Sequence, residues 1–335
     1  MDRCMRSLRR TRDFFLNKEN VVGVGVGMKQ VGFNRTQQPS VIVFVEKKLD
    51  KKNLSRNQVI PRQIDGVVTD VIEIGKVRLL DERTDKARPA RPGMSIGHYS
   101  ITAGTFGAVV RDINTGELLI LSNNHILANA TDGNDGRAAL GDAVLQPGSY
   151  DGGTEKDKIA DLLRFVPLIR SEKKADCPAA AGVAKIASKL VHIIKPNYDL
   201  RFVKRSRGSN IIDAALARPL SQDVISPDIL EIGRPRGTAT VEIDSKVMKS
   251  GRSSGKTAGS VTAIGVSLQV ELNDTEVGMF SDQVVADMLS RGGDSGSLVL
   301  DERMRAVGLL FAGSERYTIF NHMDNVLTKL EIELV

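Results

Sequence analysis

The chain has no tryptophan, and only 4% of its 335 residues are aromatic. Stacking platforms for single-stranded nucleic acid are therefore scarce, and a nucleic-acid partner is disfavoured. Its two cysteines, Cys4 and Cys177, cannot build a disulfide framework. Free thiols in a reducing, cytoplasmic setting are the expectation. The first residues lack the apolar core of a secretory leader, and no apolar run approaches the length of a membrane span. Neither secretion nor a membrane partner is expected. Only four histidines are present, with no Cys/His spacing suited to zinc. No metal and no cofactor is expected.

What is present is ordinary in amount and uneven in distribution. Hydrophobic residues make up 41% and charged residues 26%, as in a globular protein with ample core. The net charge of +6 is concentrated early, with Arg3, Arg6, Arg9, Arg10 and Arg12 followed by Lys47, Lys48, Lys51 and Lys52. This pattern fits a solvated basic face. Residues 3–18 read as a basic amphipathic helix with Met5, Leu8, Phe15 and Leu16 near one face. Strands are expected over Val21–Val26, Pro39–Glu46 and Val67–Ile74, with a short helix over Lys51–Asn57. Residues 1–80 thus form a small α/β domain, and the charged, proline-dotted stretch 81–93 reads as a linker. Beyond it, short β-rich runs recur between glycines, among them Thr238–Ile243, Gly259–Val266 and Leu268–Glu271, which suggests an all-β sandwich or barrel. The alanine-rich stretch Ala179–Leu190 reads as a helix within an insertion.

One glycine-rich turn carries chemistry. Arg291-Gly292-Gly293-Asp294-Ser295-Gly296-Ser297 runs directly into the apolar Leu298-Val299-Leu300. A serine hydroxyl becomes a nucleophile only if a base takes its proton and donors stabilise the oxyanion it makes. Flanking glycines let the backbone adopt φ > 0, so the N–H groups of Gly293 and Ser295 can converge on one point. Of the histidines, His125 is the best placed base. It follows the expected strand Glu117–Leu121 and opens a short turn in Ser122-Asn123-Asn124-His125. Between them, Asp213 is one carboxylate in the apolar run Ile211–Ala217, read as a strand. A buried carboxylate needs a partner, and an imidazole N–H is a fitting one.

The order His, Asp, Ser is that of chymotrypsin-like proteases. Gly293-Asp294-Ser295-Gly296 resembles their nucleophile motif. Leu121–Ala128 resembles their histidine motif, in a form similar to bacterial members related to the plant narrow-leaf type of trypsin-like protease. Lys249-Ser250-Gly251-Arg252-Ser253-Ser254-Gly255 resembles the start of the second barrel of bacterial members. Val307–Ser314 resembles the strand lining the primary specificity pocket. The likeness covers residues 94–334.

The resemblance implies a mainly β protein with two chymotrypsin-like six-stranded β-barrels after the α/β domain. The first would span 94–220, with an insertion around 150–208, and the second 221–335. It implies an intracellular serine endopeptidase acting on a protein or peptide, with His125 as base and acid, Asp213 as its orienting partner and Ser295 as nucleophile. The N–H groups of Gly293 and Ser295 would form the oxyanion hole. Leu289, Phe311, Ala312 and Gly313 would line the specificity pocket, with Leu289 where a basic-specific enzyme carries an acid. An apolar or small side chain before the cut is expected. Departures are the missing disulfide beside the histidine, Ser297 in place of a second glycine, and 88 residues between His125 and Asp213. In zymogen-type relatives the counterpart of Asp294 pairs with a newly cut N-terminus. No such partner is in view here, so Asp294 is expected to shape the loop through other contacts.

The alternative function is a catalytically silent scaffold or peptide-binding protein of the same fold. The N-terminal domain could gate the cleft, recruit substrate or mediate a homo-oligomer. Two glycine patterns are set aside. Gly23-Val24-Gly25-Val26-Gly27-Met28 lacks the third glycine of a dinucleotide fingerprint and reads as a strand. Gly251–Thr257 has three residues between its glycines where a P-loop needs four.

Overall fold

Runs of β-branched residues at positions 21–26 and 41–45 favour extended backbone, because a branched side chain packs well on a pleated surface. In the computed structural model they pair. The structure describes all residues except 32–33, 76, 78–81, 102, 175–181, 183–202, 206–207, 274–275 and 315. The chain forms two compact units, Met1–Leu80 and Asp81–Val335.

In the first unit a helix, α1 (Asp2–Leu16), lies on a four-stranded sheet of order β1 (Val21–Val31), β2 (Asn34–Val45), β4 (Val67–Glu73), β3 (Gln63–Ile64). The β1–β2 pair is antiparallel and β2–β4 is parallel. The helix buries Cys4, Ser7, Thr11 and Phe15. Met5 and Leu16, read as part of its apolar face, are exposed. The buried stripe instead follows steps of three and four residues from Cys4. Phe15 and Cys4 share a core with Val41, Val43, Val45 and Val67. The glycines of β1 are strand residues, and a Cβ at Gly27 would meet Ile42 at 3.2 Å.

The second unit is mainly β. Its first sheet comprises β5 (Ser95–His98), β6 (Gly104–Thr105), β7 (Ala108–Asp112), β8 (Leu118–Ser122), β9 (Ala143–Leu145), β10 (Lys158–Phe165), β13 (Ala215–Pro219) and the C-terminal β20 (Ile332–Leu334). They run in the order β20-β7-β8-β13-β10-β9-β5-β6. Between β10 and β13, β11 (Glu172–Lys174) and β12 (Val203–Arg205) form a separate pair. The second sheet is a closed six-stranded barrel of β14 (Lys246–Gly251), β15 (Gly255–Asn273), β16 (Glu276–Ala286), β19 (Thr318–His322), β18 (Ala306–Gly313) and β17 (Leu298–Asp301). The mainly β architecture of two barrel-like sheets implied by the sequence is therefore present, although the first has eight strands rather than six, because the C-terminal β20 and the short β6 extend its edges.

Each sheet has its own core, around Ile96, Phe106 and Ile120 in the first and Val261, Val284 and Phe320 in the second. A third cluster joins them, with Leu119, Leu121 and Ile212 meeting Leu298, Leu300 and Leu309. The helix α3 (Met323–Leu330) adds Met323 and Leu330 to that seam, and β20 returns to pair with β7.

Several local expectations change. Asp213 sits just before β13 rather than within a strand. Residues 238–243 carry only an isolated bridge between Thr238 and Ala306. The two runs at 259–266 and 268–271 are one long strand, whose register shifts around Gly265 (φ +66°). Residues 81–93 are not a free linker where they are described. Ala90 is fully buried and bridges to Ile225, and Arg83 hydrogen-bonds Ser250 Oγ at 2.9 Å. Prolines and charges there pack onto the unit instead of separating two. The expected helix Ala179–Leu190 and Cys177 fall almost wholly outside the described residues.

Candidate active site

The strand β8 ends at Ser122, and the chain turns into α2 (Asn124–Leu127), a single helical turn carrying His125. Asn123, fully buried, locks this turn by donating from Nδ2 to the backbone oxygen of Asp213 at 2.7 Å. Asp213 then makes two contacts with His125. Its Oδ1 accepts the His125 backbone N–H at 3.2 Å, and its Oδ2 pairs with His125 Nδ1. A carboxylate accepts only, so Nδ1 carries the proton and Nε2 is left as a base. Among the described residues Nε2 has no hydrogen-bond partner. Asp213 is 1% exposed and the imidazole 25%, so the acid is sequestered while the base faces the cleft.

The aspartate is also held by the second barrel. Its backbone N–H donates to Asn321 Oδ1 at 3.1 Å. Asn321 Nδ2 donates to Gln283 Oε1 at 2.7 Å, and Gln283 Nε2 to the Ile211 oxygen at 2.8 Å. Both amides are fully buried. The loop that carries Asp213 is thus anchored to the second barrel by a polar relay.

Ser295 lines the same cavity as His125 and Asp213, a cleft of about 1020 Å³. Its hydroxyl donates weakly to the Phe311 oxygen at 3.3 Å. The turn around it is wound by Gly293 (φ +97°) and Gly296 (φ +95°), a backbone that glycine adopts without strain. Most of the loop's donors are used: Asp294 N–H bonds to Arg291 O, Gly296 to Leu310 O and Ser297 to Asp294 O. Among the described residues the N–H groups of Gly293 and Ser295 meet no acceptor.

Asp294 has a partner that sequence reading did not assign. Its carboxylate is fully buried and pairs with the equally buried Lys249 Nζ at 2.9 Å. It also accepts from the N–H groups of Arg291 (2.9 Å), Ser253 (2.8 Å) and Ser254 (3.0 Å). Burial pushes its pKa up. The Lys249 charge and the hydrogen bonds from Ser254, Lys249 and Arg291 outweigh that, so it lies below the usual carboxylate value. Burial dominates at Lys249 and lowers its pKa, although Asp294 works the other way. Glycine-rich 251–255, the near-match to a P-loop, does cradle an anion, but the anion is this chain's own Asp294. A Cβ on Gly251 would meet that carboxylate at 2.5 Å.

The residues expected in the specificity pocket all line the large cleft: Leu289, Phe311, Ala312 and Gly313. Phe311 is 4% exposed and stacks on Phe280, ring centroids 4.6 Å apart, so its ring supports the wall from behind. Leu268, Val270 and Leu272 alternate along β15 as its half-buried face and add an apolar wall. Sequence reading missed them, because nothing in a local pattern says which side of a hairpin will meet a cleft. The other described histidines lie elsewhere: His98 is fully buried on Asp142, and His322 stands 3.8 Å from Asp282.

Residues 4–74 match the NARROW LEAF 1 N-terminal domain family. Over 358 aligned positions the chain is 23% identical to Protein NARROW LEAF 1 of Oryza sativa subsp. japonica, covering 94% of this chain and 57% of that protein. The chain thus spans a little over half the length of that relative. Thermobifida fusca Protease A (14% identity, TM-score 0.46) and the Nocardiopsis protease (15%, TM-score 0.46) each match 73% of this chain and 99% of theirs. The structural neighbours are chymotrypsin-like serine proteases. Among the described residues no helix is long and apolar enough to cross a membrane.

Proposed function

We propose that the Asp81–Val335 unit is a serine endopeptidase that hydrolyses protein or peptide substrates through an acyl-enzyme. The observation that carries this reading is the pairing of His125 with buried Asp213 in a cleft that Ser295 also lines, with the acceptor-free N–H groups of Gly293 and Ser295 in the adjoining turn. Ser295 Oγ attacks the carbonyl carbon of the scissile bond, and its proton passes to His125 Nε2. The oxyanion is received by the N–H groups of Gly293 and Ser295, while Asp213 stabilises the imidazolium. The imidazolium then protonates the leaving amine as the C–N bond breaks. Water, deprotonated by His125, releases the acid and restores Ser295. The N-terminal unit is proposed to recruit substrate or mediate assembly. The proposal includes a cytoplasmic setting, supported by the two-cysteine composition and by Cys4 as a buried free thiol.

The test is hydrolysis of a peptide library by the wild type with Ser295→Ala as control. Turnover that survives in Ser295→Ala would refute the assignment. The cleft's walls of Leu268, Val270, Leu272, Ala312 and Ile319, with Leu289 at the pocket, favour an apolar side chain before the cut. Leu289→Asp is expected to raise kcat/KM for Lys or Arg at that position relative to Leu by roughly tenfold or more, about the 1–3 kcal/mol of one pocket contact. An unchanged ratio would remove Leu289 from the pocket.

A further inference from the structure

The Gly292–Gly293 peptide decides whether the oxyanion hole exists. In a trans peptide the C=O and the following N–H point in opposite directions. Gly293 N–H therefore faces the cleft only while the Gly292 carbonyl is held away from it. Both residues are glycine and Gly293 sits at φ +97°, so side-chain sterics do little to prevent this peptide from turning over.

The carbonyl is held by Ser253, whose hydroxyl donates to Gly292 O at 2.7 Å. Ser253 Oγ in turn accepts from Arg252 Nη1 at 2.9 Å. The guanidinium is gripped in bidentate fashion by Asp151, with Nε at 2.7 Å from Oδ2 and Nη2 on Oδ1. It also lies 5.0 Å from the Tyr150 ring centroid. Asp151 follows β9 in the first sheet, is 7% exposed, and accepts a further bond from Ser95 Oγ at 2.6 Å. The Asp151 hydrogen bond raises the Arg252 pKa more than burial lowers it. Thr105, also from the first sheet, donates to Gly293 O at 2.8 Å and accepts Arg252 N–H at 3.0 Å.

We propose that Asp151, Arg252 and Ser253 are positioning residues that aim the Gly293 N–H, so that the first barrel sets the oxyanion hole of the second. This rests on the serine-protease reading above. The relay touches no substrate. It acts through the Ser253 side chain on a single carbonyl, whereas the Lys249–Asp294 pair holds the Ser253 backbone N–H and the rest of the loop.

The experiment compares kcat, KM and unfolding midpoint for wild type, Ser253→Ala, Ser253→Thr and Arg252→Lys. It adds inhibition by a peptide boronate, which mimics the tetrahedral intermediate, and by the cleaved product peptide. Ser253→Ala is expected to lower kcat ~10- to 100-fold, short of losing a whole donor, with KM within about twofold of wild type. Boronate affinity should fall in step with kcat, product affinity should hold, and Ser253→Thr should restore most of the rate. Arg252→Lys, which keeps the charge but loses the fork, should fall between. If the wild type hydrolyses peptides and Ser253→Ala matches it in kcat, the relay is refuted while the protease reading stands. The relay is equally refuted if Ser253→Ala loses only stability, with no split between boronate and product. A folded wild type that neither hydrolyses peptides nor binds the boronate overturns both.

Discussion

Lys249→Met is expected to lower the unfolding midpoint of the Asp81–Val335 unit by roughly 10 °C and to abolish most peptidase activity. The substitution keeps the stem's volume and removes the ammonium, leaving Asp294 as an uncompensated buried charge. Breaking one side of such a pair costs about 3–5 kcal/mol, and a domain of this size loses about 2–4 °C per kcal/mol. Activity falls because Asp294 ties the N–H groups of Arg291, Ser253 and Ser254 to one carboxylate. Once it shifts, the turn that carries Gly293 and Ser295 loses its anchor, and the proposed oxyanion hole is lost with it. Differential scanning calorimetry with a peptidase assay checks both effects. The double variant Lys249→Met/Asp294→Asn should cost less than the sum of the singles, because the stranded charge is gone. The pH dependence follows the same pair. Asp294 titrates below its unfolded value, so its contribution is full above about pH 4 and is lost as pH falls through the lowered value.

Asp213→Asn is expected to reduce kcat by ~10,000-fold with little change in KM or stability. The amide is the same size, so the buried site stays filled. However, its NH₂ group cannot accept the Nδ1 proton, and the imidazole is driven to the tautomer that leaves no base facing Ser295. Steady-state kinetics on a cleaved peptide decide this. A loss of less than tenfold would mean that the His125–Asp213 contact is structural. Because Asn321 and Asn123 hold the Asp213 backbone rather than its carboxylate, they keep the loop in place in the variant. The comparison therefore isolates the charge.

The features legible in sequence were those that physics makes local. Val41–Val45 reads as a buried strand because five consecutive apolar, mostly β-branched residues need cover on both faces. Asp213 announced itself as a lone carboxylate in an apolar run. Gly293 and Gly296 did so as residues suited to φ > 0. What stayed hidden depends on pairing over long distances. Lys249 lies on an inward-facing position of β14 between two partly or fully buried neighbours, a visible oddity, yet its partner is 45 residues away across a barrel closure. Arg252 and Asp151 sit 101 residues apart, in turns that follow strands of different sheets. The stretch 81–93 differs for a related reason: its prolines and charges have the texture of a linker, but Ala90 and Arg83 find buried partners far along the chain, at Ile225 and Ser250. The long β15 was split in two because Gly265 bends it through a register shift rather than ending it.

The central claim is that Ser295 is a nucleophile activated by His125. Labelling the folded, full-length protein with a fluorophosphonate probe, followed by peptide mapping of the adduct, tests it most directly. The account predicts one adduct per chain on Ser295, labelling slowed at least a hundredfold in His125→Ala, and none in Ser295→Ala. Equal labelling of wild type and Ser295→Ala, or a folded wild type that takes no label, would contradict it.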